Sequence, residues 1–151
     1  MRKYIYILIF IPFLFSGCDY SPIYSNKNNY NFKIEKIGFN GDAEINNLID
    51  KKLKKYQKKA SDKKFAIFTS SSYKKISQSK NLSGKTTDYL ITIETNFEIK
   101  NEDKIKNLIF KEEFLIKNFS NKFEENNFEK IKKENAIDLV VSKLVVQLSQ
   151  M

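Results

Sequence analysis

The chain has 151 residues, enough for one domain with its own core, so neither disulfides nor a bound metal is needed to hold it together. It contains no His, no Trp and a single Cys, which removes imidazole acid–base chemistry, hydrolase triads and most metal-ligand sets. The 27 Lys and Arg exceed the 18 Asp and Glu, and the formal charge of +9 attracts phosphate-bearing surfaces, whether nucleic acid or anionic lipid.

Arg2 and Lys3 precede an unbroken apolar run over residues 4–15. A positive start, a short apolar segment and then small residues form the pattern of a secretory signal. At about 12 residues the run falls short of the roughly 20 that a membrane-spanning helix needs. Ser16-Gly17-Cys18 follows at once and resembles a bacterial lipobox, with Phe15 where Leu is usual. On this reading residues 1–17 are a cleaved lipoprotein signal peptide and Cys18 becomes the first mature residue, its sulfur carrying a diacylglycerol. The alternatives are a signal followed by a chance Cys, or a short anchor. Lipidation accounts for the lone thiol, which would otherwise sit unpaired in an oxidising compartment. The energetics also fit: each buried methylene contributes about 0.8 kcal/mol, and two lipid signals already anchor stably. Export from the cytoplasm disfavours nucleic acid as the partner of the basic charge.

Residues 18–31 read as a lipidated tether, because Pro22 disfavours helix and Asn26-Lys27-Asn28-Asn29 reads as loop. The folded domain is expected over residues 32–151. Residues 32–39 read as a strand with Phe32 and Ile34 on one face and Ile37 and Phe39 on the other, so the alternation slips near Lys36 and predicts a bulge or a strand end. Asn40-Gly41 makes a turn. Residues 42–59 predict an amphipathic helix, with Asp42 as N-cap and Ile45, Leu48, Ile49, Leu53 and Tyr56 on one face. Its many lysines read as solvated faces.

Residues 65–76 predict a second strand with Phe65, Ile67 and Tyr73 on one parity. A connection over 80–87 turns at Gly84. Residues 88–100 form the clearest strand, Tyr89, Ile91, Ile93, Phe97 and Ile99 alternating with polar residues. After a turn at Asn101-Glu102-Asp103, residues 108–119 complete a hairpin with Leu108, Phe110, Phe114 and Ile116 inward. Residues 124–150 predict a long closing helix. Its apolar stripe runs from Phe128 and Ile131 through Ile137, Val141 and Leu144 to Leu148, widened by Leu139 and Val146. The order β-α-β-β-β-α implies an α+β two-layer sandwich, two helices packed on a mostly antiparallel four-stranded sheet.

Four scattered glycines make no phosphate-binding loop. The acidic pairs Glu112-Glu113 and Glu124-Glu125 are poor dyads, since strand neighbours face opposite sides. No catalytic residue, metal or cofactor is expected, and the chain reads as a binding or assembly protein rather than an enzyme.

The start Cys18-Asp19-Tyr20-Ser21-Pro22-Ile23-Tyr24 resembles the Cys-Gly-Phe-x-Pro-Leu-Tyr opening of LptE-type LPS-assembly lipoproteins, especially the short alphaproteobacterial ones. The element order is similar along the mature chain. So is residues 73–93, "YKKISQSKNLSGKTTDYLITI", which looks like that family's polar strand, Gly-containing hairpin and returning strand. The resemblance implies a lipid-anchored protein on the periplasmic side of the outer membrane. It implies a role as plug and assembly partner of the LptD-type β-barrel, and contact with lipopolysaccharide on its way to the outer leaflet. Asp19 departs from the family's Gly, and in some bacteria an acid there retains lipoproteins in the inner membrane. Lys74, Lys75, Lys80 and Lys85 flank the polar hairpin and are the candidate ligands for lipid A phosphates; the alternative is that they are ordinary surface lysines. A periplasm-facing envelope lipoprotein without a barrel partner, such as a lipid carrier or scaffold component, is the competing expectation.

Overall fold

The computed structural model describes residues 30–58, 60–102 and 104–151. The expected signal, Cys18 and the expected tether up to residue 29 lie outside the described residues. Six elements follow in order: strand β1 (Lys33–Gly41), helix α1 (Ala43–Gln57), strands β2 (Lys64–Lys80), β3 (Thr86–Asn101) and β4 (Lys104–Lys117), and helix α2 (Lys122–Gln150). The sheet order is β1-β2-β3-β4. β1 pairs parallel with β2, which requires a crossover, and α1 supplies it. The remaining pairs are antiparallel. Both helices cover one face, giving the expected two-layer α+β sandwich.

The slip in β1 is a bulge. Register passes from Ile34↔Phe65 to Lys36↔Ala66, leaving Glu35 as the extra residue. Ile37 and Phe39 thereby return to the helix-facing side and pack against the core beside Phe32 and Ile34. The strand stops at Gly41, whose φ of 89° is open to glycine at little cost. Asp42 Oδ1 then accepts from the Ile45 N–H at 2.9 Å, capping α1. Buried Asn46 ties helix to sheet, donating to the Asn40 carbonyl at 2.9 Å and accepting from Ser71 Oγ at 2.8 Å.

Phe65 and Ile67 of β2, Ile91, Ile93, Phe97 and Ile99 of β3, and Ile116 of β4 meet Ile45, Ile49 and Leu53 of α1 and Ile137, Val140, Leu144 and Leu148 of α2. Full burial contributes roughly 1.5–3 kcal/mol for each such side chain. Where the chain enters the sandwich, Phe32 stacks on Tyr56 at 5.5 Å and meets Phe65 edge-on at 5.8 Å, with Tyr30 6.1 Å from both Phe32 and Tyr56.

Three expectations need correction. The β2–β3 hairpin is longer than the apolar pattern indicates, and its connecting loop shrinks to residues 81–85. Backbone pairing such as Lys80↔Thr86 holds this polar end without burial. β4 starts at Lys104, not at residue 108, for the same reason. In α2, Phe128 and Ile131 face solvent, because Glu125, Glu129 and Lys133 take the inward positions of that end.

Candidate functional site

β1 and β2 run side by side only as far as Gly41↔Ser71. Beyond that point β2 and β3 continue as a hairpin, and β4 and the first half of α2 accompany them. Asn81 organises the tip: its Oδ1 accepts from the backbone N–H groups of Ser83 and Lys85 and from Ser83 Oγ, between 2.8 and 3.1 Å. Gly84 takes the turn at φ 78°. Leu82 stands fully exposed at the apex.

The four candidate lysines do not converge. Lys74 is exposed on the face away from the helices, in register with Thr92. Lys80 and Lys85 are exposed at the two ends of the tip. Lys75 points inward and is committed to the protein, its Nζ lying 3.0 Å from Glu125 Oε1 and 2.7 Å from Glu129 Oε2. That ammonium also sits 4.6 Å over the Tyr89 ring.

Lys75 belongs to a network joining α2 to the sheet. Tyr73 donates its hydroxyl to Glu129 Oε1 at 2.6 Å. Lys133 bridges Glu129 and Glu44 of α1 at 3.0 and 2.7 Å, and lies 4.2 Å over the Tyr73 ring. Glu125 further receives Lys122 at 2.9 Å and the Phe119 N–H at 3.2 Å. Burial alone pushes the Glu129 carboxyl up, but the hydrogen bonds from Lys75, Tyr73 and Lys133 outweigh it and hold the group at about 2. Burial and the bond to Glu129 push the Tyr73 hydroxyl up. Burial lowers Lys75 and Lys133, and their carboxylate partners more than reverse that, so both stay charged.

The outward face carries a feature the alternation alone did not flag. Ile76, Leu90 and Leu115 stand in register across three strands, Ile76 and Leu115 each more than half exposed. Beside the tip, Lys85 and Lys117 line an open recess with Asn81, Thr87, Asp88 and Asn118. Lys117 entered no sequence-based list because only the β3–β4 register, Asp88↔Lys117, brings it to the hairpin. Chemically the end combines a short aliphatic row with exposed ammonium groups, which suits an amphiphile with an anionic head.

No protein-family model and no curated protein matches this chain. Solved structures do. A rare lipoprotein B from Shewanella oneidensis aligns with a TM-score of 0.52 at 11% identity, covering 74% of this chain and 91% of that one. A lipoprotein B from Nitrosomonas europaea aligns at 0.55 and 10% identity, covering 80% and 86%. At such identity the likeness is one of fold: the β-α-β-β-β-α sandwich built by this sequence is also the fold of these two bacterial lipoproteins.

Proposed function

We propose that this chain is an envelope lipoprotein, anchored through Cys18 on the periplasmic side of the outer membrane, whose sandwich is a binding and assembly module rather than an enzyme. The carrying observation is a conjunction: Ser16-Gly17-Cys18 after a short apolar run, on a chain whose fold is shared with two proteins described as lipoproteins. Within that class, the opening Cys18-Asp19-Tyr20-Ser21-Pro22-Ile23-Tyr24 supports an LptE-type role, plugging an LptD-type barrel and handling lipopolysaccharide. A lipid-carrying or scaffold lipoprotein without a barrel is favoured by a different observation. A porin-like lumen is polar, and the Ile76–Leu90–Leu115 row suits acyl chains better than such a wall.

A carboxy-terminal tag on the full chain separates these readings. Recovery of a large β-barrel protein from detergent extracts, identified by mass spectrometry, supports the LptE-type role. Outer-membrane fractionation without a barrel supports the carrier or scaffold role. Fractionation with the inner membrane, or membrane attachment that persists in Cys18→Ser, overturns the anchoring. For lipopolysaccharide, joint replacement of Lys74, Lys80 and Lys85 by Ala is expected to weaken binding and leave thermal stability unchanged. Lys75→Ala is expected to lower stability instead, because it strips a partner from Glu125 and Glu129. Undiminished binding by the triple variant removes those lysines from the role.

A further inference from the structure

The outermost strand on one side of the sheet, β4, has no strand along its outer edge among the described residues, and the chemistry of that edge complements itself. The Asn118 N–H donates to the Thr87 carbonyl at 2.8 Å, so this pair is a hydrogen-bonded one. Antiparallel pairing alternates. The even-numbered residues of β4 therefore turn their backbone groups toward β3, and the odd-numbered ones turn theirs to the open side. The odd-numbered side chains occupy the outward face, where Ile109, Lys111, Glu113 and Leu115 read apolar, base, acid, apolar. Ile109 is 65% exposed and Leu115 58%.

We propose that this edge pairs with the same edge of a second copy of the chain, antiparallel about a twofold axis at Glu112, making one continuous eight-stranded sheet. With the axis there, Lys111 faces Glu113 of the second copy and Glu113 faces its Lys111. Ile109 and Leu115 face one another in the same exchange. The inward face matches as well: Phe110 meets Phe114, and Leu108 meets Ile116. The two Glu112 side chains meet at the axis, each already held by its own Lys143 at 2.6 Å.

The open groups allow only shifts of the axis by whole residues, and the neighbouring positions fail. An axis at Lys111 sets that lysine against itself and Ile109 against Glu113. An axis at Glu113 sets Lys111 against Leu115. The Glu112 axis also brings two carboxylates together, each paired with Lys143, so the registers are separated by the remaining positions: a one-step slip loses both Lys111–Glu113 pairs and mismatches the apolar ones. The proposal rests on β4 and is independent of the function proposed above.

The test is sedimentation equilibrium on the full chain in detergent, under reducing conditions so that Cys18 cannot cross-link. The unmodified chain is expected to reach a dimer mass. Lys111→Glu and Glu113→Lys, each placing like charges across the axis twice, are expected to raise the dimer dissociation constant about tenfold or more. The double variant, which restores opposite charges, is expected to recover it. A second measurement stands if a single variant folds poorly: Glu112→Cys with Cys18→Ser is expected to form a disulfide between copies on mild oxidation, since pairs at such an axis bring Cα atoms to about 4.5 Å. A monomer at all concentrations overturns the proposal. So does a dimer indifferent to the single reversals, a double variant that stays monomeric, or an uncross-linked Glu112→Cys.

Discussion

Glu129 accepts from the Tyr73 hydroxyl and from the Lys75 and Lys133 ammoniums, and it is largely withdrawn from water. Replacing it by Gln keeps the shape and removes the charge that balances both lysines. Leaving buried charges short of a partner is expensive, so Glu129→Gln is expected to cost on the order of 2–3 kcal/mol in urea denaturation. Glu35→Gln, which removes an exposed pair with Lys64, is expected to leave the midpoint unmoved. The same carboxylate makes stability depend on pH. Its native value of about 2 lies below the ordinary 4.5, so between those values the unfolded chain binds the extra proton. The stabilisation is complete above about pH 4.5 and is lost as pH falls toward 2. In Glu129→Gln the slope of stability across that window is expected to be shallower by about one proton. The helical half of this network was hidden, because the apolar spacing of Phe128 and Ile131 pointed the opposite side of that end of α2 inward. Tyr73 and Lys75 were not legible as its other half, since more than fifty residues separate Tyr73 from Glu129 and only the fold closes that distance.

Gly41 and Gly84 share the left-handed backbone region but differ in what surrounds them. A Cβ built on Gly41 would meet the Ser71 carbonyl oxygen, where β2 backbone closes against the turn into α1. One on Gly84 meets nothing within 4 Å. Gly84→Ala is therefore expected to cost about 1 kcal/mol for backbone strain alone, and Gly41→Ala about 3 kcal/mol or more, since the β1–α1 corner must open as well. Thermal melts of the two variants check the order, and equal costs would contradict the close approach. The same corner shows how far an element can be read from its residues. Asn40-Gly41-Asp42 announced both a turn and a cap, and the broken alternation at Lys36 announced a bulge or a strand end, of which the register of β1 on β2 selects the bulge. The polar ends of β2 and β4 announced nothing. Their order comes from a neighbouring strand's hydrogen bonds, which leave no periodic trace in the side chains.

Across the whole molecule, order should grade from the centre of the sheet to the hairpin. β3 is flanked on both sides, and Ile91, Ile93, Thr95 and Phe97 are buried beneath the helices. The far end of the hairpin has neither β1 nor α1 beside it and breaks register between Ser77 and Ser79 and again at Lys80. Hydrogen exchange is expected to be slowest for amides 91–97 and fastest, among strand amides, for 77–80 and 86–88. Uniform protection along β3 would refute this gradient. The layer architecture could be anticipated because amphipathic helices and alternating strands each declare a face to bury. The hairpin's outward surface could not, because register rather than spacing sets Lys117 beside Lys85 and lines up Ile76, Leu90 and Leu115. The aromatic contacts of Tyr30 and Phe32 fix the chain's point of entry at the end of the sheet opposite the hairpin tip. The 17 residues of β2 span about 55 Å between those ends. The dozen residues from Cys18 to Tyr30 can cover at most about 40 Å. For a chain anchored at Cys18, the tip can thus stand no farther from the anchor than the two lengths laid end to end, and each residue removed between Cys18 and Tyr30 lowers that ceiling by about 3.5 Å.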